Sequence, residues 1–253
     1  MDFLNVHIKT ISSEHLEEFI RCPYKFYQRQ LLMNKGKNID WRKMVQVTTH
    51  RIVKSYYETP ASQRSAFYIL RLIEQYWRFI HVDLFESKVQ YYEVLAKVSD
   101  HLLQFLSNDS EQEMPLFLFN QYCVHVEELE SNISLTIDVA QWTENSYVVK
   151  KFVTDDHPQI QQMMKDFIVV FSRHAFQKVP EVIIFHSILT GHTSSFTVQE
   201  QDYDEALQRL SLIKSTLKEP KYFQKTALVT ECDSCPLKTE CLNDNKDRLT
   251  MFM

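Results

Sequence analysis

The chain has 253 residues, of which 44% are hydrophobic and 24% charged, enough to build a substantial core and too apolar for a disordered polymer. Its formal net charge of −5 provides no global attraction to polyanions, so any nucleic-acid contact depends on local charge. No run of apolar residues is long enough to span a bilayer, and the N-terminus MDFLNVHIKTISSEHLEEF lacks a basic segment leading into an apolar core; a cytoplasmic protein without a membrane partner is expected.

Ser12 or Ser13 can cap a first helix with Glu14 in its opening turn and Leu16, Phe19 and Ile20 at helical spacing. Pro23 interrupts the pattern, which places Cys22 at a break, with a second helix over 24–32. Helical periodicity returns over 44–58, 63–80 and 87–106. From Pro115 the texture becomes β-branched and aromatic, and 116–129, 132–142 and 146–154 read as strands with turns near Asn132 and Glu144-Asn145. A helix over 158–176 follows, then strands over 181–189 and 194–199 around Gly191-His192, and a last helix over 202–217. The tail after Pro220 is irregular and cysteine-rich. With only two glycines, Gly36 and Gly191, a glycine-rich phosphate loop is excluded.

Between Arg21 and Lys54 the basic residues are Arg21, Lys25, Arg29, Lys35, Lys37, Arg42, Lys43, Arg51 and Lys54, against the single acid Asp40. The segment reads either as a solvated helix face or as a wall that tracks phosphates, with Arg21, Lys25, Arg29, Arg42, Lys43 and Arg51 as DNA-binding candidates.

The five cysteines are Cys22, Cys123, Cys232, Cys235 and Cys241, and the last three form a C-x2-C-x5-C tail. Such spacing lets one loop wrap several thiolates around a soft metal centre. Cys22 at the helix break is the natural fourth ligand of an iron–sulfur cluster, with zinc as the alternative, whereas Cys123 in a strand reads as a small buried side chain. A cluster of this kind clips together segments about two hundred residues apart and contributes directly to folding.

The combination of Ser12 or Ser13 with Leu16, of Cys22-Pro23-Tyr24 with Phe26, and of Cys232, Cys235 and Cys241 resembles the iron–sulfur members of the RecB-like PD-(D/E)xK nucleases, such as AddB-type helicase–nuclease subunits and the nucleases of CRISPR adaptation. The resemblance implies one α+β domain over 1–253: a mainly helical part over 1–110 that includes Cys22, a restriction-endonuclease-like mixed sheet over 111–200 flanked by helices, and a helix with the cysteine tail over 201–253. It also implies a [4Fe–4S] cluster, and DNA, as single strands or duplex ends, for a partner, together with a helicase or repair protein.

Within that resemblance His50 stands where the family carries a helical histidine, and Asp138 stands at the family's metal-binding aspartate. The following strand departs from the pattern. Family members write an acidic residue, any residue, then lysine; here Thr154 aligns with the threonine after that motif, Lys151 falls at the acidic position and Val153 at the lysine position. A cation there repels the magnesium or manganese that hydrolysis needs, so Lys151 is expected either to meet a phosphate or to pair with Asp138. The expected function is a nuclease-like DNA-interaction or DNA-repair accessory protein without cleavage. The alternatives are an active exonuclease that recruits Glu127, Glu128, Asp155 or Asp156 alongside Asp138 and His50, and an iron–sulfur redox sensor or scaffold that does not bind DNA.

Overall fold

The structure, a computed structural model, describes residues 9–34, 40–108, 114–217, 222–226, 231–232 and 235–242. Lys35, Gly36 and Lys37 of the basic segment lie outside the described residues, as does most of the tail between the last helix and the cysteines. The fold is a mixed α+β arrangement: a six-stranded sheet of mixed direction flanked by helices.

Ser12 ends a short strand β1 (Thr10–Ser12) and caps α1 (Ser13–Arg21) by accepting a hydrogen bond from the His15 amide. Cys22 then adopts an extended conformation and starts α2 (Pro23–Phe26), its Sγ accepting from the Lys25 amide at 3.4 Å. Pro23 sits in the first turn, where its missing N–H costs nothing. The chain continues as a wider π-type helical turn over Tyr27–Leu31.

Three longer helices follow: α3 (Trp41–Glu58), α4 (Ala66–Trp77) and α5 (Lys88–Ser107), capped by Asp40, Ser65 and Ser87. The strands are β2 (Phe117–Val126), β3 (Ser131–Trp142), β4 (Tyr147–Val153), β5 (Val182–Ser187) and β6 (Thr193–Thr197). Helix α6 (Pro158–Phe176) crosses between β4 and β5, and α7 (Asp202–Leu217) follows β6.

Strands β1, β3, β4, β5 and β6 lie side by side in that order, and β2 pairs antiparallel with β3. The β4–β5 pair is parallel, as a crossover through α6 requires. The first turn between strands falls at Glu127–Glu130, slightly before its expected place, with Glu130 in the left-handed region at φ 42°.

Two apolar cores form. One joins α1, α2, α6 and α7 to residues of β2–β5 such as Ile133, Leu135, Val149 and Phe185; the other joins α3, α4 and α5 to Val139 of β3 and Phe152 of β4. The helical N-terminal part is therefore shared out: α1 and α2 belong with α6 and Phe223 of the tail, and α3–α5 cover separate ground.

The expectation that Cys123 is buried is corrected: it is exposed. It lies on β2, which among the described residues pairs only with β3, and along this strand Tyr122 and Val124 pack on the core, so alternation turns Cys123 outward.

Gly191 closes the β5–β6 connection at φ 75°, and a Cβ there would lie 2.7 Å from the ring of His101, which is itself held by a hydrogen bond between Nδ1 and the Ile188 carbonyl. Gly191→Ala should lower the unfolding free energy by about 1–3 kcal/mol through backbone strain and this clash, read by urea denaturation.

Candidate functional site

The ladder between β3 and β4 runs from Trp142↔Tyr147 to Val139↔Lys150 and ends one residue short of Asp138. The Asp138 side chain, fully buried, fills the place where regular pairing stops. Its Oδ2 accepts the backbone N–H of Phe152 at 3.0 Å, and its Oδ1 accepts a hydrogen bond from Nζ of Lys151. The same ammonium donates to the Thr136 carbonyl at 3.0 Å. Lys151, expected either to meet a phosphate or to pair with Asp138, takes the second course.

His50 joins from α3, its Nε2 lying 3.6 Å from Asp138 Oδ2. One helical turn earlier, Gln46 donates from Nε2 to the Phe152 carbonyl and contacts Nε2 of His50. The Phe119 ring, 4.9 Å from the His50 ring, covers the site from β2, where Phe119 takes φ 50° and is missing from the β2–β3 ladder. Desolvation lowers the pKa of His50; the Asp138 charge opposes this, and the Lys151 charge reinforces it. A neutral ring can accept the Gln46 amide proton.

Sequence reasoning thus brought His50, Asp138 and Lys151 to one place and overlooked Gln46 and Phe119. Gln46 stands four residues before His50, on the same face of α3, which is the one signal that could have found it.

The Glu14 charge also reaches His50, but three of the acids offered as alternatives have partners elsewhere. Asp155 bonds Arg21, Asp156 lies 2.9 Å from His192, and Glu128 approaches His174 and Tyr203. Among the described residues, no group of three or more histidines, cysteines and carboxylates is spaced to hold a metal ion. In the Asp138 pocket an ammonium takes the carboxylate.

The cysteine tail meets the Cys22 break. Gln224 accepts the Tyr24 amide at 3.1 Å, Lys225 donates from Nζ to the Cys241 carbonyl at 2.6 Å, and Asn34 bonds Glu240 at 2.9 Å. Cys235 feels the charges of Cys22 and Cys232, and Cys241 those of Cys22 and Cys235. The four thiols therefore form one neighbourhood, although not at metal-ligand spacing. Burial pushes the Cys235 and Cys241 thiols up, while Lys25 acts on the first and Lys225 on the second to favour the thiolate.

Several of the basic residues first assigned to a phosphate wall have carboxylate partners. Arg21 is held at 2.9 Å by Glu17, by Asp155 and by Glu231, and although burial opposes its charge, the Asp155 hydrogen bond and the three acids raise its pKa. Arg29 pairs with Glu18 at 2.7 Å, and Lys25 lies 3.9 Å from Asp40. The charge of these three is balanced inside the fold, and they read as internal ties. Arg42 stacks on Trp41, its guanidinium carbon 4.6 Å from the ring centroid. Lys43, Arg51 and Lys54 are exposed along α3 with Val47, at positions that share one helix face; Lys54 lies 3.9 Å from Glu58, an exposed pairing that contributes little.

No family model matches the chain, and no curated protein matches it. Among solved structures, a protein of Eubacterium rectale provisionally named an exonuclease is 11% identical with a TM-score of 0.46, covering 83% of each chain. The protein SSO0001 is also 11% identical, with a TM-score of 0.37, covering 92% of this chain and 86% of its own. Likenesses this distant assign neither a family nor an activity to the chain.

Two outcomes follow from the geometry. Lys151→Met leaves a buried carboxylate without its cation and should cost about 3–5 kcal/mol. Adding Asp138→Asn should recover most of that loss, because the amide oxygen still accepts the Phe152 N–H; urea denaturation of the two variants checks both values. For His50 the folded pKa lies below its ordinary value of 6.5, so the unfolded chain binds the proton more readily and stability falls as pH drops below that value. In thermal melts at neutral pH and at about pH 5.5, His50→Gln should lose less Tm on acidification than the unmodified protein.

Proposed function

We propose that this protein is a catalytically silent, nuclease-like DNA-interaction module that acts as an accessory to a helicase or repair protein. The observation that carries the reading is the Lys151 ammonium on the Asp138 carboxylate. Metal-dependent phosphodiester hydrolysis needs that carboxylate for a divalent ion, and a fixed cation about 4 Å from the ion opposes its binding by about 4 kcal/mol per pair of unit charges at an effective dielectric near 20. The ammonium instead supplies positive charge permanently, keeping the pocket's form without its metal.

DNA contact falls to the exposed face of α3 carrying Lys43, Arg51 and Lys54, with Arg42 beside it. This stripe flanks the His50 side of the Asp138 pocket, where a backbone phosphate could lie without being cut. Single strands or duplex ends are the proposed substrates of binding.

The gathered thiols of Cys22, Cys232, Cys235 and Cys241 are the donor set that would hold an iron–sulfur cluster, and four thiolates are the usual complement of a [4Fe–4S] centre. When bound, the cluster supplies a covalent link between the α1–α2 break and the tail. Zinc is the alternative occupant of the same four ligands.

Anaerobically purified protein should carry stoichiometric iron and sulfide that are lost in Cys22→Ser and Cys235→Ser; a folded protein free of iron would remove the cluster from this reading. Binding to single-stranded DNA should weaken with salt, and Arg51→Glu with Lys54→Glu should lower the slope of log affinity against log salt by about 2. Neither magnesium nor manganese should elicit cleavage. Cleavage abolished by Asp138→Ala would overturn the silent assignment. Lys151→Glu places a second carboxylate beside Asp138, so millimolar manganese should raise the Tm of that variant and leave the unmodified protein unaffected.

A further inference from the structure

Strand β2 stands at an edge of the sheet: among the described residues it pairs with β3 alone. Asn132 of β3 directs its amide to the Lys9 carbonyl beside β1, so its partner on β2, His125, belongs to a pair without ladder hydrogen bonds and turns its own N–H and C=O away from β3. Alternation along the strand gives Cys123 and Gln121 the same orientation. All three residues are exposed. Gln121 and His125 bend their side chains back to Ser134 and Asn132, at 3.2 and 2.9 Å, which keeps the backbone of this edge clear. A row of outward peptide groups is a template for another strand.

The open stretch has a centre. At one end Phe119, with φ 50°, interrupts the strand and is missing from the β2–β3 ladder; at the other the turn begins at Glu127. Between them residues 120–126, Asn-Gln-Tyr-Cys-Val-His-Val, contain no lysine, acid or proline, the residues that commonly blunt an edge, and Cys123 lies midway. Antiparallel pairing of this stretch with itself about Cys123 sets outward residue against outward residue, Cys123 against Cys123 and Gln121 against His125. On the core-facing side it sets Tyr122 against Val124, an aromatic and a β-branched side chain that favour one another across strands. No like charges meet, and the kink at Phe119 of one copy falls opposite the turn at Glu127 of the other, so the pairing runs out at both ends together.

We propose that a second copy of this chain occupies the β2 edge, joining two sheets through an antiparallel β2–β2 junction whose two-fold axis passes at Cys123. Such a contact uses the same patch on both copies and closes at a dimer. Residues in a hydrogen-bonded antiparallel pair have Cα atoms about 5.5 Å apart, so the two Cys123 thiols come within reach of a short cross-linker and report on the junction. The dimer depends neither on DNA binding by α3 nor on a metal at the other four cysteines.

The test is sedimentation velocity of the full chain under reducing conditions over a range of concentrations, with a short bismaleimide cross-linker and mass spectrometry of the linked peptides. A monomer–dimer equilibrium and a Cys123-to-Cys123 cross-link are the expected results. Cys123→Lys places two ammonium groups against each other at the axis and should weaken self-association by about fivefold or more, with the circular dichroism of the monomer unchanged because the position is exposed. Cys123→Ser keeps the outward peptide groups, so it should retain the dimer and lose the cross-link. Ser195→Lys, on the edge strand β6, should leave association intact. A chain that stays monomeric at every concentration overturns the proposal and leaves the edge to a strand of another protein. A dimer that survives Cys123→Lys, that is lost in Ser195→Lys instead, or that links Cys123 only to other cysteines also overturns it. The pair Arg51→Glu and Lys54→Glu should leave the dimer unchanged, so failure of the α3 reading and failure of this one are separable.

Discussion

The structure turns on the ion pair between Asp138 and Lys151, because it sits where the β3–β4 ladder stops and where helices from outside the sheet arrive. Asp138 holds the Phe152 amide from one side, Gln46 of α3 holds the Phe152 carbonyl from the other, and the Phe152 ring enters the core of α3–α5. One peptide position therefore fastens the sheet to the helical layer. Neither partner of the pair can be lost singly without leaving a buried charge, whereas an apolar pair of similar volume would be tolerated. Retention of two charges here is explained by position better than by stability: past the end of the β3–β4 ladder the carboxylate accepts the Phe152 N–H, and the lysine balances it.

A second tie of the same kind lies at Arg21. Its guanidinium joins α1 to Asp155, just past β4, and to Glu231 next to the cysteine tail. A planar group with five donors suits three carboxylates in a way that a lysine would not. Together with the Tyr24–Gln224 bond and the Phe19, Phe26 and Tyr27 rings around Phe223, it brings the α1–α2 break and the tail together through the protein's own contacts. A metal held by the four cysteines would reinforce a junction that already has apolar and ionic support.

Much of this was legible in the sequence. The helix over Pro158–Phe176 and that over Asp202–Leu217 declared themselves by periodicity and by their flanking residues, and Cys22-Pro23 marked the break through the loss of a donor. Strand β1 escaped because three residues cannot display alternation, and its parallel pairing with β3 is set by the tertiary fold. The site was readable where it depends on strand neighbours, as with Asp138 and Lys151. It was not readable where it depends on a helix docking from another core, as with Gln46, or on a left-handed residue at Phe119, whose side chain gives no hint of positive φ. The basic segment misled for a different reason: a count of charges within a window ignores acids brought in from afar, and Asp155 and Glu231 are over a hundred residues from Arg21.

That distinction sorts the cations by what they can do. Arg21, Lys25, Arg29 and Lys151 face carboxylates inside the fold, so their charge is balanced before any partner arrives. Lys43 and Arg51 project from α3 into solvent. In a chain of net negative charge, a polyanion gains only from cations whose field is not already cancelled at close range. The exposed α3 face of Lys43 and Arg51 is where such a field persists, whereas Lys151 is taken up in balancing the buried Asp138 carboxylate.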